Sequence, residues 1–194
     1  ETVFPDEPDG IVQNEICEIS PVGTPLFNIG YKCKARKDYD NLKASMEAYI
    51  AAALIADPTT DIYQKMLSEG LINSGFGFEV FNGDGYFTLL FSGESTDPYK
   101  VRDIISDEIE RIKQDGFNHE HYERILKANY GSLIRDLNNV EAVANLMINS
   151  AMDGVGPYDT IKVLSEMNDS DVLSFIKSEL SADKLAISVV KGAE

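Results

Sequence analysis

The sequence has 194 residues, 43% of them hydrophobic and 26% charged. This balance suits one folded lobe with its own core and excludes a disordered or collagen-like chain. Asp and Glu total 33 against 17 Lys and Arg, a net charge of −16, and a surface of that sign repels phosphate, which argues against nucleic acid or an anionic membrane as primary partner.

The first ten residues, which carry Pro5, Pro8 and Gly10 and no initiator Met, read as a linker continuing a longer polypeptide; residues 11–194 read as a single domain. Residues 11–19 and 26–35 read as strands, because Leu26, Asn28, Gly30 and Lys32 alternate with Phe27, Ile29, Tyr31 and Cys33 at the period of a half-buried strand. Cys17 and Cys33 are too few for a disulfide framework and read as free, half-buried thiols of a cytoplasmic protein. A helix follows from Lys37, with Leu42, Met46, Tyr49, Ile50, Ala53 and Leu54 on one face, and Pro58 ends it because the residue before a proline is pushed out of helical geometry. Its apolar run falls far short of the ~18 residues of a membrane span.

Thr59 or Thr60 caps a short second helix that places Ile62, Tyr63, Met66 and Leu67 inward and stops at Gly70. Two aromatic-rich runs, 76–81 and 86–91, flank Asn82-Gly83-Asp84-Gly85 and predict a hairpin. Asp97-Pro98 opens a helix that ends at Gly116. Asn118 caps the next, whose stripe Tyr122, Ile125, Leu126, Tyr130, Leu133, Ile134 and Leu137 predicts a core-facing side along its whole length. Asn138 and Glu141 resemble a capping box. Gly156-Pro157 opens a short helix to Ser165, Asn168 caps a last one, and residues 185–190 form a final strand. The order β-β-α-α-β-β-α-α-α-α-α-β implies an α+β fold, a mostly antiparallel sheet with helices on one face.

Chemistry-bearing motifs are sparse. His119 and His121 are the only histidines; two residues apart on a helix, they point roughly 200° apart and cannot share one ion. His119 and Glu123 share a side and could form at most a weak two-ligand site. Asn82-Gly83-Asp84-Gly85 reads as a turn, since no calcium-ligand ladder follows. No phosphate loop, nucleophile elbow or dinucleotide fingerprint occurs. On these residues alone the chain does not look like a complete enzyme.

Ile62-Tyr63-Gln64-Lys65-Met66-Leu67-Ser68-Glu69-Gly70-Leu71-Ile72-Asn73-Ser74, followed by the hairpin and Asp97-Pro98, resembles the insulinase/pitrilysin-type (inverzincin) zinc metallopeptidases, specifically their non-catalytic C-terminal repeat. Glu123-Arg124-Ile125-Leu126-Lys127, Leu137-Asn138-Asn139-Val140-Glu141 and Ala144-Asn145 are similar to a bacterial subgroup named for an association with elongation-factor P modification. The resemblance implies a duplicated α+β lobe that lines a clam-shell chamber. Zinc would be held by His-x-x-Glu-His in an N-terminal repeat and not by this chain. Its implied partners are that N-terminal repeat, a second family subunit and a peptide substrate. The family stretch Arg-Glu-x-x-Gly-Leu-x-Tyr, matched without gaps on Gly70-Leu71, places the two substrate-contact positions on Met66 and Asn73, which implies vestigial contacts aimed into one chamber. The chain alone is then expected to be inactive. The alternatives are a scaffolding peptidase homologue without activity and a ferredoxin-like ligand-binding regulatory module.

Overall fold

Side-chain alternation along the strands decides which face of the sheet is covered. The computed structural model describes residues 7–193; most of the proposed linker, residues 1–6, lies outside them. The elements are β1 (Glu15–Ile19), β2 (Leu26–Lys32), α1 (Asp38–Ala56), α2 (Asp61–Ser68), β3 (Gly77–Gly83), β4 (Tyr86–Glu94), α3 (Pro98–Asp115), α4 (His119–Asp136), α5 (Val140–Met152), α6 (Asp159–Glu166), α7 (Asp169–Glu179) and β5 (Leu185–Lys191). A 3-10 turn at Ala182–Lys184 leads into β5. The order matches the α+β expectation. The strands lie in the order β1-β5-β2-β4-β3. All pairs are antiparallel except β1 with β5, which is parallel, so the final strand enters between the first two.

Phe27, Ile29 and Tyr31 of β2, Phe87, Leu89 and Phe91 of β4, and Ile187 and Val189 of β5 are buried under the helices. Each such side chain stabilises the fold by about 1.5–3 kcal/mol through removal of apolar surface from water. Val101, Ile105, Ile109 and Ile112 recur at helical spacing on α3 and are buried against the same core.

α1 departs from the expected single apolar face. Ala44, Ala48 and every residue from Ile50 to Ala56 are buried, while Tyr49 is 39% exposed. The helix is the centre of its layer, packed by α7, β3, α6 and α4. Alanine on several sides lets these neighbours approach closely. Asp57, held extended by Pro58, ends it, and Thr60 caps α2 by accepting from the Tyr63 N–H at 3.3 Å.

Other boundaries are corrected by local chemistry. β1 begins at Glu15 and β2 ends at Lys32, because pairing with β5 and β4 extends no further. Asn139, not Asn138, caps α5, accepting from the N–H groups of Glu141 and Ala142. α6 starts at Asp159. A reciprocal capping box forms instead between Asn168 and Asp171 at α7. Leu67 is 36% exposed, so only Tyr63 and Met66 are buried on α2. The cysteines are unlike each other: Cys17 is exposed and Cys33 buried, both as free thiols.

The α4 stripe is the largest correction. Tyr122 and Ile125 are buried, whereas Tyr130 and Ile134 are each 39% exposed and Leu133 and Leu137 only half-buried. α4 packs on α1 and α6, and its second half is left largely exposed. Among the described residues no helix is long and apolar enough to cross a membrane.

Candidate functional site

The side of the sheet opposite the helices carries the outward members of the same strands. Register aligns Ser92 of β4, Asn28 of β2 and Ser188 of β5 in one row, with Gly77 and Ile16 at its ends. The next row aligns Glu79, Leu90, Gly30 and Ala186. Ile16 and Leu90 stand among small and polar side chains on this face, where Asn28 is exposed and Ser92 and Ser188 are half-buried. A Cβ at Gly30 would lie 3.0 Å from Leu90 Cδ2, which shows how closely the leucine lies over the glycine.

Two hollows share Asn28. One, of about 540 Å³, runs between the sheet and the extended stretch before β1, and is lined by Ile11, Ile16, Lys32, Leu90 and Ala186 among others. That stretch is fastened by Lys32 Nζ, which donates to Glu7 Oε2 at 3.2 Å and to the Gly10 carbonyl at 3.3 Å, and by the Ile187 N–H, which donates to the Asn14 carbonyl at 2.9 Å. The other, of about 600 Å³, lies at the sheet end between Asn73, Gly75, Asn28, Ser92 and Glu94.

Asn73 is exposed at this second hollow. Its Nδ2 donates to Glu94 Oε2 at 2.6 Å, and its Oδ1 accepts from the Gly75 N–H at 2.8 Å. The amide is thereby fixed at the rim. Met66 is 1% exposed and belongs to the core. The end of α2 closes between the two positions, where the Leu71 N–H donates to the Met66 carbonyl at 2.9 Å. Their side chains fall on different sides of the boundary between core and solvent.

The histidines take separate partners. His119 Nδ1 lies 3.1 Å from Asp169 Oδ2, and His121 Nε2 lies 3.0 Å from Thr59 Oγ1. Glu123 is engaged by Lys127 at 2.8 Å, which holds its carboxyl below the usual range. Among the described residues no three His, Cys, Asp or Glu side chains come together as a metal site. Asp84 and Gly85 form a two-residue hairpin turn with Gly85 at φ +89°, and Asp84 pairs with Lys37 at 3.4 Å.

Three further side chains, Tyr31, Cys33 and Tyr122, are shifted chiefly by burial. Burial pushes the Tyr31 hydroxyl and the Cys33 thiol each up to about 12, so Cys33 is a poor nucleophile at neutral pH. Burial likewise lifts the Tyr122 hydroxyl to about 12, and it donates to the Met167 carbonyl at 3.0 Å. The outward row was half legible in sequence: the alternation of β2 marks Asn28 and Gly30. Its neighbours Ser92 and Ser188 depend on register, which no local pattern records.

Residues 3–129 match the family model described as peptidase M16 inactive domain. The chain therefore belongs to that family, the non-catalytic domains of insulinase-type zinc proteases. It is 25% identical over 125 residues to an uncharacterized zinc protease, YmfH, of Bacillus subtilis (strain 168), a match covering 64% of this chain and 29% of that protein. Among solved structures it resembles an M16-like peptidase from Alicyclobacillus acidocaldarius, with TM-score 0.92 at 20% identity over 98% of this chain and 46% of that one. It also resembles a protease from Helicobacter pylori, with TM-score 0.82 at 15% identity over 98% of this chain and 47% of that one. The chain thus spans less than a third of the curated relative and about half of each solved chain.

Proposed function

We propose that this chain is the C-terminal lobe of a longer zinc metallopeptidase, with residues 1–10 as connector and 11–194 as the lobe, and that it supplies chamber wall and peptide-contacting surface. The N-terminal repeat of the same protein holds the zinc and performs hydrolysis, with a second family subunit as a further partner. The reading includes membership of the subgroup named for elongation-factor P modification, supported by the motifs at residues 123–127, 137–141 and 144–145, and a cytoplasmic location, supported by the two unpaired thiols.

The observation that carries the proposal is the row Ser92–Asn28–Ser188 on a sheet face that none of the described helices covers, with Asn28 exposed and the two serines half-buried. Extended peptide binds such a surface through hydrogen bonds to amides and hydroxyls, with apolar contacts to Leu90 and Ile16. Of the two inherited substrate-contact positions, Asn73 keeps a rim amide that can donate to a peptide carbonyl, and Met66 acts from beneath by holding the end of α2.

The test is peptide hydrolysis by the full-length protein. Replacing both Asn28 and Asn73 by Ala should raise KM with little change in kcat, because the wall binds ground and transition states alike. An unchanged KM in an active protein would remove the wall from substrate contact. A full-length protein without zinc or turnover would identify a scaffold.

A further inference from the structure

The outward side of β2 changes chemistry at each step along the strand. Asn28, paired with Ser188, presents an amide beside a hydroxyl. Gly30, paired with Leu90 and Ala186, presents no side chain. Lys32, paired with Thr88, presents a cation. The small middle row is the floor of the hollow of about 540 Å³ beneath the stretch before β1, and Leu90, Ile16 and Ile11 form its apolar walls. A hollow of this size, apolar within and polar at its ends, has the make-up of a ligand pocket. Asn28 to Lys32 is four residues of strand, about 13 Å, which an extended peptide of equal length matches.

The hollow reverses the charge of the protein. The chain carries 33 acidic residues against 17 Lys and Arg, yet this hollow is lined by two lysines and a single carboxylate, Glu7. Lys184 is already held by the buried Glu179 at 2.9 Å and by the Ser178 carbonyl at 3.0 Å. Lys32 is held differently. Among the described residues the one carboxylate that pairs with it is Glu7, whose side chain is 52% exposed. Glu7 Oε2 lies 3.2 Å from Lys32 Nζ and the Gly10 carbonyl 3.3 Å, both long beside the roughly 2.7–2.9 Å of a close charged pair. An ammonium has three protons to donate, so a third remains for a ligand even with these contacts in place.

We propose that this hollow recognises a carboxylate carried by a peptide, with Lys32 as the cation, the Gly30–Ala186 floor taking the apolar side chain beside it, and Glu7 as the chain's own occupant of the carboxylate position. This rests on the reading of the sheet face as a peptide-contacting wall, and adds the class of peptide that it selects. The carboxylate belongs either to the peptide's C-terminus or to an Asp or Glu side chain, since both present the same two oxygens to an ammonium.

Equilibrium binding to the purified full-length protein tests this, with EDTA present so that no peptide is cut. Three forms of one Ala- and Leu-rich peptide, each labelled at its N-terminus with the same neutral dye, are compared by fluorescence anisotropy. One ends in Leu with a free carboxylate, one in Leu amide, and one in Leu amide preceded by Glu. At least one acidic form should bind about five- to tenfold more tightly than the neutral amide, and the form that does so identifies the source of the carboxylate. Lys32→Gln should abolish this advantage and leave the affinity of the neutral amide as it was, which also reports an intact fold. Glu7→Gln should tighten the acidic form by about two- to fivefold, because a competitor is removed. Equal affinities for the three peptides, or an acid advantage that survives Lys32→Gln, would overturn the inference and leave the peptide-contacting wall in place. Weaker binding of the acidic form by Glu7→Gln would also overturn it. Binding of none of the three would overturn the wall and this inference together.

Discussion

Arg36 Nη2 donates to Glu179 Oε1 at 2.7 Å, joining the segment after β2 to the end of α7. The Glu179 carboxylate is buried, and its Oε2 accepts from the Lys34 N–H at 3.0 Å and from Lys184 Nζ at 2.9 Å. Burial works to raise its pKa, but these donors outweigh burial and leave it lowered.

Glu179→Ala should therefore cost about 1.5–3 kcal/mol, the range of hydrogen bonds to a charged group. Because the folded-state pKa lies below the unfolded value, this stabilisation is complete above the unfolded pKa of about 4.3 and is lost as pH falls through the folded one. Urea unfolding across the acid range checks this: the difference between wild type and Glu179→Gln should shrink in that window and stay flat above about pH 6.

Tyr122 ties α4 to the start of α7 through its bond to the Met167 carbonyl. Tyr122→Phe keeps the ring but leaves a buried carbonyl without its donor, so a loss of about 1–3 kcal/mol is expected. Ile134→Ala, further along the same helix, should cost this lobe well under about 1 kcal/mol, since a partly exposed side chain leaves no cavity. Denaturant midpoints of the two variants of this chain separate the outcomes.

Two glycines in adjoining strands should respond differently to alanine. At Gly93 a Cβ would lie 3.0 Å from the Phe76 Cα, a backbone atom that cannot turn aside, whereas at Gly30 it meets the mobile end of Leu90. Gly93→Ala should cost about 1–3 kcal/mol by overpacking, and Gly30→Ala clearly less. The shift in thermal midpoint of each variant checks the order.

Met66 and Asn73 call for opposite expectations when the family residues are restored. Met66→Arg would place a cation where the side chain is 1% exposed; lacking a counter-ion, it should destabilise by more than about 3 kcal/mol. Asn73→Tyr replaces an exposed side chain and should be near neutral for stability, within about 1 kcal/mol. Thermal unfolding of the two single variants decides.

Element order was readable because each signal is local: the Asp97-Pro98 start, the Asp84-Gly85 turn and the Pro58 stop act within a few residues of themselves. The α4 stripe misled because periodicity reports that a face is apolar, not what covers it. Tyr130 and Ile134 continue the helical periodicity of Tyr122 and Ile125, yet each is 39% exposed. The burial of α1 on nearly all sides was missed for a related reason: its alanines carry little hydrophobic weight in a pattern yet allow close packing by several neighbours. The site row was hidden in register, which brings Asn28, Ser92 and Ser188 together from three separate parts of the chain.

The central claim is that this lobe contributes surface and no metal chemistry of its own. The most direct measurement is the zinc content of the purified 194-residue chain by elemental analysis, after exposure to zinc and exhaustive dialysis. Only background zinc is predicted, because His119 and His121 face different partners and, among the described residues, no group of three ligands forms. About one zinc retained per chain, as a preformed protein site would hold, would contradict the account.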